Sequence, residues 1–318
     1  MNVGRMLAWI AVVLGSLAWP AQAAEWPTKP VRVIVPYPAG GSLDAISRPF
    51  VESLAKRLGQ PFVIDNRAGA AGAVGTEATA RAAPDGYTLL AAPNGPLVLL
   101  PLLRKVPYGP TDLVPIGPMG EFVYGFAVLP KTGIKSMAEL VAYAKKHPGR
   151  VSYSSPGAGS ATNLRGEAFK ILAGVDILHV PYRTGAEALI DFLSGTVDVI
   201  IDNVMFPHVR AGQATLLAVT SDRRFPMFPD VPTMAEAGYP VGLPTMAALY
   251  VPKGTPAAIQ AILSRAIADA NADPEVQKRV LQVGFFPMSK TGPELQAALN
   301  SQIAEYQNWV TRTGLKIE

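Results

Sequence analysis

Short apolar runs rich in branched and aromatic residues alternate with helical patterns along most of this chain. The runs are "VRVIVPY", "FVIDNR", "YTLLAAP", "FVYGFAVLP", "VSYSSP", "ILHVPY", "VDVIIDN", "LLAVTS" and "MAALYVP". Between them, apolar residues recur at three- and four-residue spacing and predict helices near 43–58, 136–147, 161–173, 185–194 and 256–271. This alternation is typical of an α/β fold and predicts largely parallel sheets.

The last third of the chain is helical in pattern and has few strand signals. Its segment "GPELQAALNSQIAEYQNWVTRTG" predicts a helix with Pro293 near the first turn. These helices need a sheet to cover, and about 295 residues downstream of residue 23 favour two domains. We therefore expect a first domain made of 24–124 and 248–318, and a second domain made of 125–247.

The N-terminus resembles a secretory signal peptide. Arg5 precedes the apolar stretch Met6 to Trp19, and the small-residue site "AQA" ends at Ala23. The apolar stretch is shorter than the roughly 20 residues of a membrane span, although an uncleaved N-terminal anchor is the alternative reading. The sequence contains no cysteine, which excludes disulfides and a lipid-anchored cysteine. We expect export to the periplasm and cleavage near Ala23.

Charge excludes one broad class of partner. The formal net charge is +4, and the lysines and arginines are scattered along the chain. A nucleic-acid-binding protein usually carries a basic stripe, which this sequence lacks, so we expect no nucleic-acid partner. A mild positive excess is compatible with a small anionic ligand.

The segment "VPYPAGGSLDAISRPF", residues 35 to 50, predicts a strand that ends in a glycine bend and leads into a helix. Gly40 and Gly41 permit close backbone approach, and Ser42 either caps the helix or donates to a ligand oxygen. Asp44 is a poor contact for an anion, so we expect it to hold the loop through backbone N–H groups. Because helix N-termini attract negative charge, an anion is the expected ligand of this turn.

The segment "SYSSPGAGSATNLRGEAF", residues 152 to 169, repeats this chemistry in the other half of the chain. A strand ends near Ser155, passes through Gly157, and enters a helix near Ser160 and Asn163. Two further turns, "HVPYRTGAEAL" with Tyr182 and "AAPNGPL" with Asn94, have a similar composition. Any one of them could be an ordinary turn. Two such turns on opposite domains predict a binding cleft between the domains.

Candidates for catalysis are poor. We expect His147, His179 and His208 to be structural, and neither HExxH, GxSxG nor a phosphate-binding GxxxxGK[ST] motif is present. "GAAGAVG" lacks the spacing of a dinucleotide loop. The sequence therefore predicts no cofactor, no metal and no catalytic residue. An exported α/β enzyme acting on a small anionic substrate remains the alternative to a binding protein.

Five segments, taken in order, resemble the Bug (TctC-type) family. They are "KPVRVIVPYPAGGSLDAISR", "VIDNRAGAAGAVGTEATARAAPDGYTLL", "YSSPGAGSATNLRGEAFK", "HVPYRTGAEALIDFLSGTVDVIIDN" and "LAVTSDRRFPMFPDVPTMAEAGYP". The family comprises the solute-binding receptors of tripartite tricarboxylate transporters. The resemblance implies a two-domain periplasmic-binding-protein (Venus-flytrap, type II) fold and a small carboxylate held in the cleft largely by main-chain amides. It also implies delivery of the ligand to two membrane permease subunits. Presentation of the ligand to a membrane sensor kinase is an alternative.

The family pattern also implies a set of ligand-binding residues. Carried over residue by residue, these are Tyr37, Ala39, Gly40, Ser42 and Asp44 on one side and Ser155, Gly157, Ser160 and Tyr182 on the other. Asn94, Asn163 and Asp202 complete the candidate ligand-binding residues. Asp202 either accepts a ligand ammonium group or caps the next segment. This chain departs from the pattern at Asn163, Thr184 and Met246, where family members commonly carry histidine, glycine and, near the last position, tryptophan. We expect a small organic acid or an amino acid as ligand, and a monomeric protein.

Overall fold

The structure is a computed structural model that describes residues 26–103, 105–109, 111–242 and 244–313. The predicted signal peptide and its cleavage site lie outside these residues. The strands are β1 (Val31–Val35), β2 (Phe62–Asn66), β3 (Thr88–Pro93), β4 (Leu113–Phe122), β5 (Gly125–Val128), β6 (Ser152–Ser155), β7 (Leu178–Pro181), β8 (Val199–Asp202), β9 (Thr215–Val219), β10 (Met246–Pro252) and β11 (Phe285–Phe286).

Helices follow most of the strands, as the sequence pattern predicts. They are α1 (Ser42–Leu58), α2 (Ala73–Ala80), α3 (Leu100–Leu103), α4 (Met137–Lys146), α5 (Ala161–Ala173), α6 (Gly185–Ser194), α7 (Phe206–Arg210), α8 (Ala257–Ala272), α9 (Pro274–Gln282) and α10 (Gly292–Thr313). All five helices predicted by spacing are confirmed within one residue at each end. Short turns of 3₁₀- or π-helix lie at 70–72, 95–99 and 130–132.

The strands form two separate sheets. The first sheet has the order β11-β4-β10-β3-β1-β2, and the second has the order β7-β6-β8-β5-β9. The chain passes from the first sheet to the second between Phe122 and Gly125, and returns between Val219 and Met246. With helices packed on the sheets, the α/β class is confirmed.

The expectation of largely parallel sheets is wrong, because both sheets are mixed. Parallel pairing joins β2-β1-β3 in the first sheet and β7-β6-β8 in the second. Strands β5 and β10 pair antiparallel with both of their neighbours. These are the strands that follow the two passages between sheets. The chain enters β5 and β10 at the edge of the sheet where the parallel strands end. These two strands therefore run opposite to the parallel strands.

Sequence reasoning also missed most of β4. Its sequence "LVPIGPMGEF" contains two prolines and two glycines, which predict a loop because proline lacks the backbone N–H of a sheet ladder. In the structure, β4 pairs with β10 along its length, and the register shifts twice. These irregularities let Pro115 and Pro118 sit opposite Tyr250 and Ala248 inside a continuous sheet.

Apolar side chains fill both faces of each sheet. In the first sheet, Val31, Val33 and Val35 pack toward α1 and α8, and Ile34 points to the opposite face. This strict alternation follows from the two-residue period of a strand. Within the described residues, no helix is long and apolar enough to span a membrane.

Candidate functional site

The carboxyl ends of the parallel strands of both sheets meet at one interdomain cleft. On the first sheet, the turns after β1, β2 and β3 reach it, and on the second sheet, the turns after β6, β7 and β8 do. Ligands of open α/β sheets bind at such strand ends. The cleft encloses about 890 Å³, part of which is open to solvent.

Residues from both halves of the chain line the cleft. They are Tyr37, Pro38, Gly41, Ser42, Leu43, Ala71, Pro93, Gly95, Leu100, Phe122, Tyr124, Pro156, Gly159, Ser160, Ala161, Thr162, Arg183, Thr184, Gly185, Asp202, Val204 and Thr245. The N-termini of α1, α5 and α6 are all represented in this set. A helix N-terminus exposes N–H groups without intrahelical partners, so three such ends favour a negatively charged group.

The first cleft loop, residues 36–44, is held by a buried carboxylate. Asp44 Oδ2 accepts a hydrogen bond from the Gly40 backbone N–H at 3.1 Å, which confirms the expectation that Asp44 holds the loop. Arg48 donates to the same oxygen at 2.8 Å, and Asn66 donates to Asp44 Oδ1 at 3.3 Å. Gly40 has a φ of +80°, a conformation that glycine adopts readily.

Ser42 lies in the first turn of α1 but does not cap the helix. Gly41 is the N-cap residue and has no side-chain capping bond. The Ser42 hydroxyl instead reaches across the cleft to Asp202 Oδ1 at 3.1 Å and to Asn203 Oδ1. Asn203 in turn donates to the carbonyl oxygen of Gly284 at 3.1 Å. Ser42 therefore links the two sides of the cleft.

The second cleft loop, residues 155–163, uses a neutral side chain for the same purpose. Asn163 Oδ1 accepts from the Gly159 backbone N–H at 3.0 Å. Ser160 is the N-cap of α5, and its hydroxyl accepts from the Asn163 backbone N–H at 3.2 Å. Gly157 and Gly159 have φ values of +110° and +79°. The loop is thus closed by its own residues.

A polar network lies behind the second cleft loop. Tyr153 accepts from Asn163 Nδ2 at 3.0 Å and donates to Glu167 at 2.6 Å. The Ser155 hydroxyl lies 2.7 Å from His179 Nε2, and it accepts from the Gly157 backbone N–H at 3.2 Å. The prediction that His179 is structural agrees with this position, since the imidazole supports the loop from behind.

Asp202 contributes a carboxylate to the cleft. Its Oδ1 accepts from the backbone N–H groups of Asn203 at 2.7 Å and Val204 at 3.2 Å, so it caps the turn after β8. Burial raises the pKa of the Asp202 carboxyl, and those two N–H groups and the Ser42 hydroxyl partly offset the rise. A carboxylate in this position disfavours a second negative charge beside it.

Four of the twelve predicted site residues line the cleft, namely Tyr37, Ser42, Ser160 and Asp202. The remaining eight lie outside the lining as the cleft stands in this structure. They are Ala39, Gly40, Asp44, Asn94, Ser155, Gly157, Asn163 and Tyr182. Their direct contact with a ligand stays a prediction, and several of them shape the two cleft loops from behind.

Two of those eight side chains make their hydrogen bonds elsewhere in the protein. Asn94 is buried and donates to the carbonyl oxygen of Pro244 at 3.2 Å and to Gln302. The Tyr182 hydroxyl donates to Asp191 at 2.8 Å. Sequence pattern placed both residues in the correct turns, but it does not show which way a side chain points.

The aromatic wall at the passage between the sheets was missed from the sequence. Phe122 and Tyr124 stack at a centroid distance of 5.2 Å with an interplanar angle of 9°. Arg165 is buried behind them, 4.5 Å from the Tyr124 ring, and it donates to Ala161 O at 2.8 Å and Thr245 Oγ1 at 3.1 Å. The alternating aromatics of "FVYGF" are the signal that could have suggested this wall.

The loop after β2 was also missed as part of the site. Ala71 lines the cleft, and its carbonyl oxygen accepts from the Tyr37 hydroxyl at 3.3 Å. Ala70 and Ala71 both have positive φ values, +49° and +53°, which are uncommon for residues other than glycine. Such backbone conformations concentrate at functional sites. Within the described residues, no cluster of His, Asp or Glu side chains is suited to hold a metal ion.

Comparisons with known proteins give a consistent family. The family model described as "Tripartite tricarboxylate transporter family receptor" (TctC) matches residues 46–315. The protein BugT of Bordetella pertussis is 36% identical over 327 aligned positions, which cover 100% of both chains.

Two solved structures share the fold across most of the chain. The periplasmic binding protein BugD is 32% identical with a TM-score of 0.86, covering 92% of this chain and 100% of that one. The protein Rpa4515 of R. palustris, solved with adipate, is 30% identical with a TM-score of 0.87, covering 92% and 99%. The periplasmic-binding-protein fold expected from the sequence is therefore confirmed.

Proposed function

The chain belongs to the tripartite tricarboxylate transporter receptor (TctC) family, and from this premise we propose that it is a periplasmic receptor that captures a small carboxylate in the interdomain cleft. One observation carries the proposal. The N-terminus of α1 on one side of the cleft and those of α5 and α6 on the other side all reach its lining. Oriented N–H groups from both sides suit a ligand carboxylate that bridges them.

Binding without turnover is part of this proposal. The lining of the cleft contains neither histidine nor cysteine, and its serines already bond to protein groups. General acid–base catalysis needs a group of suitable pKa within reach of the substrate. Asp202 is the lining carboxylate, and it serves as a cap for the turn after β8. This arrangement favours a receptor over the alternative of an exported enzyme.

Delivery to a transporter requires a conformational signal. The closed cleft is bridged by Ser42 on one side and Asp202 and Asn203 on the other. We propose that a ligand shifts the population toward this closed form, with hinges near 122–128 and 244–250, at the two passages between the sheets. The closed form is then recognised by the two membrane subunits of a tripartite transporter.

Native mass spectrometry of protein purified from periplasmic extract tests this proposal, with identification of the small molecule released on denaturation. We expect one carboxylate per chain, unchanged after prolonged incubation. Small-angle scattering should then show a smaller radius of gyration with the ligand than without it. Conversion of the ligand to a product would favour the enzyme, and an unchanged radius at saturation would contradict closure.

A further inference from the structure

The first-domain side of the cleft is walled mostly by apolar side chains. Leu43 from α1 and Leu100 from α3 line it, together with the stacked rings of Phe122 and Tyr124. Removing apolar surface from water is favourable, so this wall favours a ligand with an apolar body over one that is polar throughout. A carbon chain that ends in a second charge would lose hydration against this wall without finding a partner.

Polar side chains of the lining are largely engaged within the protein. Ser160 and Thr184 cap α5 and α6, accepting from backbone N–H groups at 3.2 Å and 3.0 Å. The Tyr37 hydroxyl donates to Ala71. What remains for a ligand is the first-turn N–H groups of α1, α5 and α6, together with the Arg183 guanidinium at the rim. These helix ends follow strands of both sheets and all reach the cleft, where a ligand carboxylate can accept from them.

Charges around the cleft also fit a single negative ligand charge. Arg183 lies exposed at the rim, and the buried guanidinium of Arg165 lies behind Tyr124. Arg165 also interacts with Glu121, so Arg183 is the lining cation that can face a ligand carboxylate. A second ligand carboxylate would lie against the apolar wall or near Asp202, and both positions are unfavourable.

We propose that the cleft selects a monocarboxylic acid with a compact apolar body, such as an aromatic or branched-chain acid, over linear di- and tricarboxylates. This inference rests on the proposed receptor function and narrows its ligand class. The carboxylate binds at the helix N-termini, and the apolar body packs against Leu100, Phe122 and Tyr124. Asp202 excludes a second anionic group from the opposite end.

Titration calorimetry of the refolded, ligand-free protein with a panel of acids tests this class. The panel consists of phenylacetate, 3-methylbutanoate, adipate, citrate and phenylalanine. We expect phenylacetate and 3-methylbutanoate to bind at least about tenfold more tightly than adipate and citrate. Phenylalanine should bind more weakly than phenylacetate, because its polar ammonium group has to be desolvated.

The outcomes separate this inference from the proposed function. Tighter binding of adipate or citrate overturns the inference and leaves the carboxylate receptor in place. Tighter binding of phenylalanine also overturns it, and indicates that Asp202 accepts an ammonium group. If the panel and the molecule released in the native mass spectrometry experiment show no carboxylate binding at all, the proposed function fails as well.

A pair of variants tests the apolar wall directly. Leu100→Ala removes a side chain that lines the cleft, whereas Leu103→Ala removes a partly buried leucine of the same short helix outside the lining. We expect Leu100→Ala to weaken phenylacetate binding about tenfold and Leu103→Ala to leave it unchanged. Equal effects of the two variants overturn the role of the wall. The wild-type panel stands independently if Leu100→Ala fails to fold.

Discussion

The two cleft loops are both held by a hydrogen bond from a glycine N–H to a side chain, but the side chains differ in charge. In each, a side chain four residues further along accepts a hydrogen bond from a glycine N–H, Asp44 from Gly40 and Asn163 from Gly159. In each, that glycine has a positive φ near 80°. The same backbone device therefore precedes α1 and α5, although the two segments differ in sequence.

The loops differ in what their serines do. Ser160 caps its own helix, whereas Ser42 reaches across the cleft to Asp202 and Asn203. Asp44 is also stabilised by the charge of Arg48, while Asn163 belongs to a network with Tyr153. Both loops are held within their own domains, but the serine of the first cleft loop bonds across the cleft and the serine of the second does not. We infer that the second loop is a preformed ligand site and that the first loop responds to closure.

Gly166→Ala should have the largest effect on the free energy of unfolding, because the added methyl group would collide with Tyr153, a residue of the polar network behind the second cleft loop. A Cβ at Gly166 would lie 2.2 Å from the ring of Tyr153, which is fully buried. We expect a loss of about 2–3 kcal/mol, although alanine is favoured over glycine in a helix by about 0.5–1 kcal/mol. Denaturant titration measures the change.

A double-mutant cycle with Tyr153→Leu identifies the cause. The smaller side chain leaves room for the added methyl group, so the double variant should be less destabilised than the sum of the single variants. Additive effects would mean that Gly166 does not owe its importance to Tyr153. A stabilised Gly166→Ala variant would contradict the close packing itself.

Replacing each serine by alanine should affect a different property in each loop: stability for Ser160 and ligand affinity for Ser42. Ser160→Ala removes a helix cap and should lower the free energy of unfolding by about 1 kcal/mol. Ser42→Ala removes no cap, so unfolding of the ligand-free protein should change less. It should instead weaken ligand binding by about tenfold, because the closed form loses a hydrogen bond to a charged group.

Calorimetry measures the ligand affinity of the same two variants, and denaturant titration measures their free energy of unfolding. Together they check that Ser42→Ala affects mainly binding and Ser160→Ala mainly stability. Thr184→Ala is a matched control for capping, because Thr184 caps α6 in the same way that Ser160 caps α5. If Ser42→Ala destabilises the ligand-free protein as much as the two cap variants do, the two cleft loops are not different in kind.

Sequence reasoning was most successful where a structure depends on nearby residues. The helix over 185–194 was predicted with the same bounds that it has in the structure, because amphipathic spacing, a preceding threonine and a following glycine all act locally. The strand β4 was missed because Pro115 and Pro118 are poor strand residues on their own. Their acceptance depends on the irregular pairing with β10, which lies more than 120 residues away.

The candidate site shows the same limit. Gly/Ser composition predicted the two cleft loops, but the same composition permits a serine that caps its helix and one that crosses the cleft. Whether Ser42 meets Asp202 depends on how the two domains approach each other. The grouping of Tyr124, Arg165 and Thr245 likewise arises from contacts between distant segments. Periodicity within one segment carries no information about such contacts.

The smallest expected effect is a pH dependence of the free energy of unfolding. It concerns the second cleft loop, because that loop is supported by a histidine. Burial lowers the pKa of His179, Lys170 lowers it further, and Glu167 partly opposes both. The folded protein therefore favours the neutral imidazole, which lies against the Ser155 hydroxyl. Because the unfolded chain has a higher affinity for the proton, His179 contributes stability above its ordinary pKa of about 6.5, and this contribution is lost as the pH falls through the lowered value.

The test is to measure the free energy of unfolding between pH 8 and pH 5 for the wild type and for His179→Gln, in which an amide replaces the imidazole without titrating. We expect the difference between the two proteins to be constant at the alkaline end and to shrink toward acid, because only the wild type loses the histidine contribution. Asp202 titrates in both proteins, and since its pKa is raised its stabilising contribution is lost as the pH rises, so it cancels in the difference. A difference that stays constant, or that grows toward acid, would show that the support of the second cleft loop does not depend on a neutral His179.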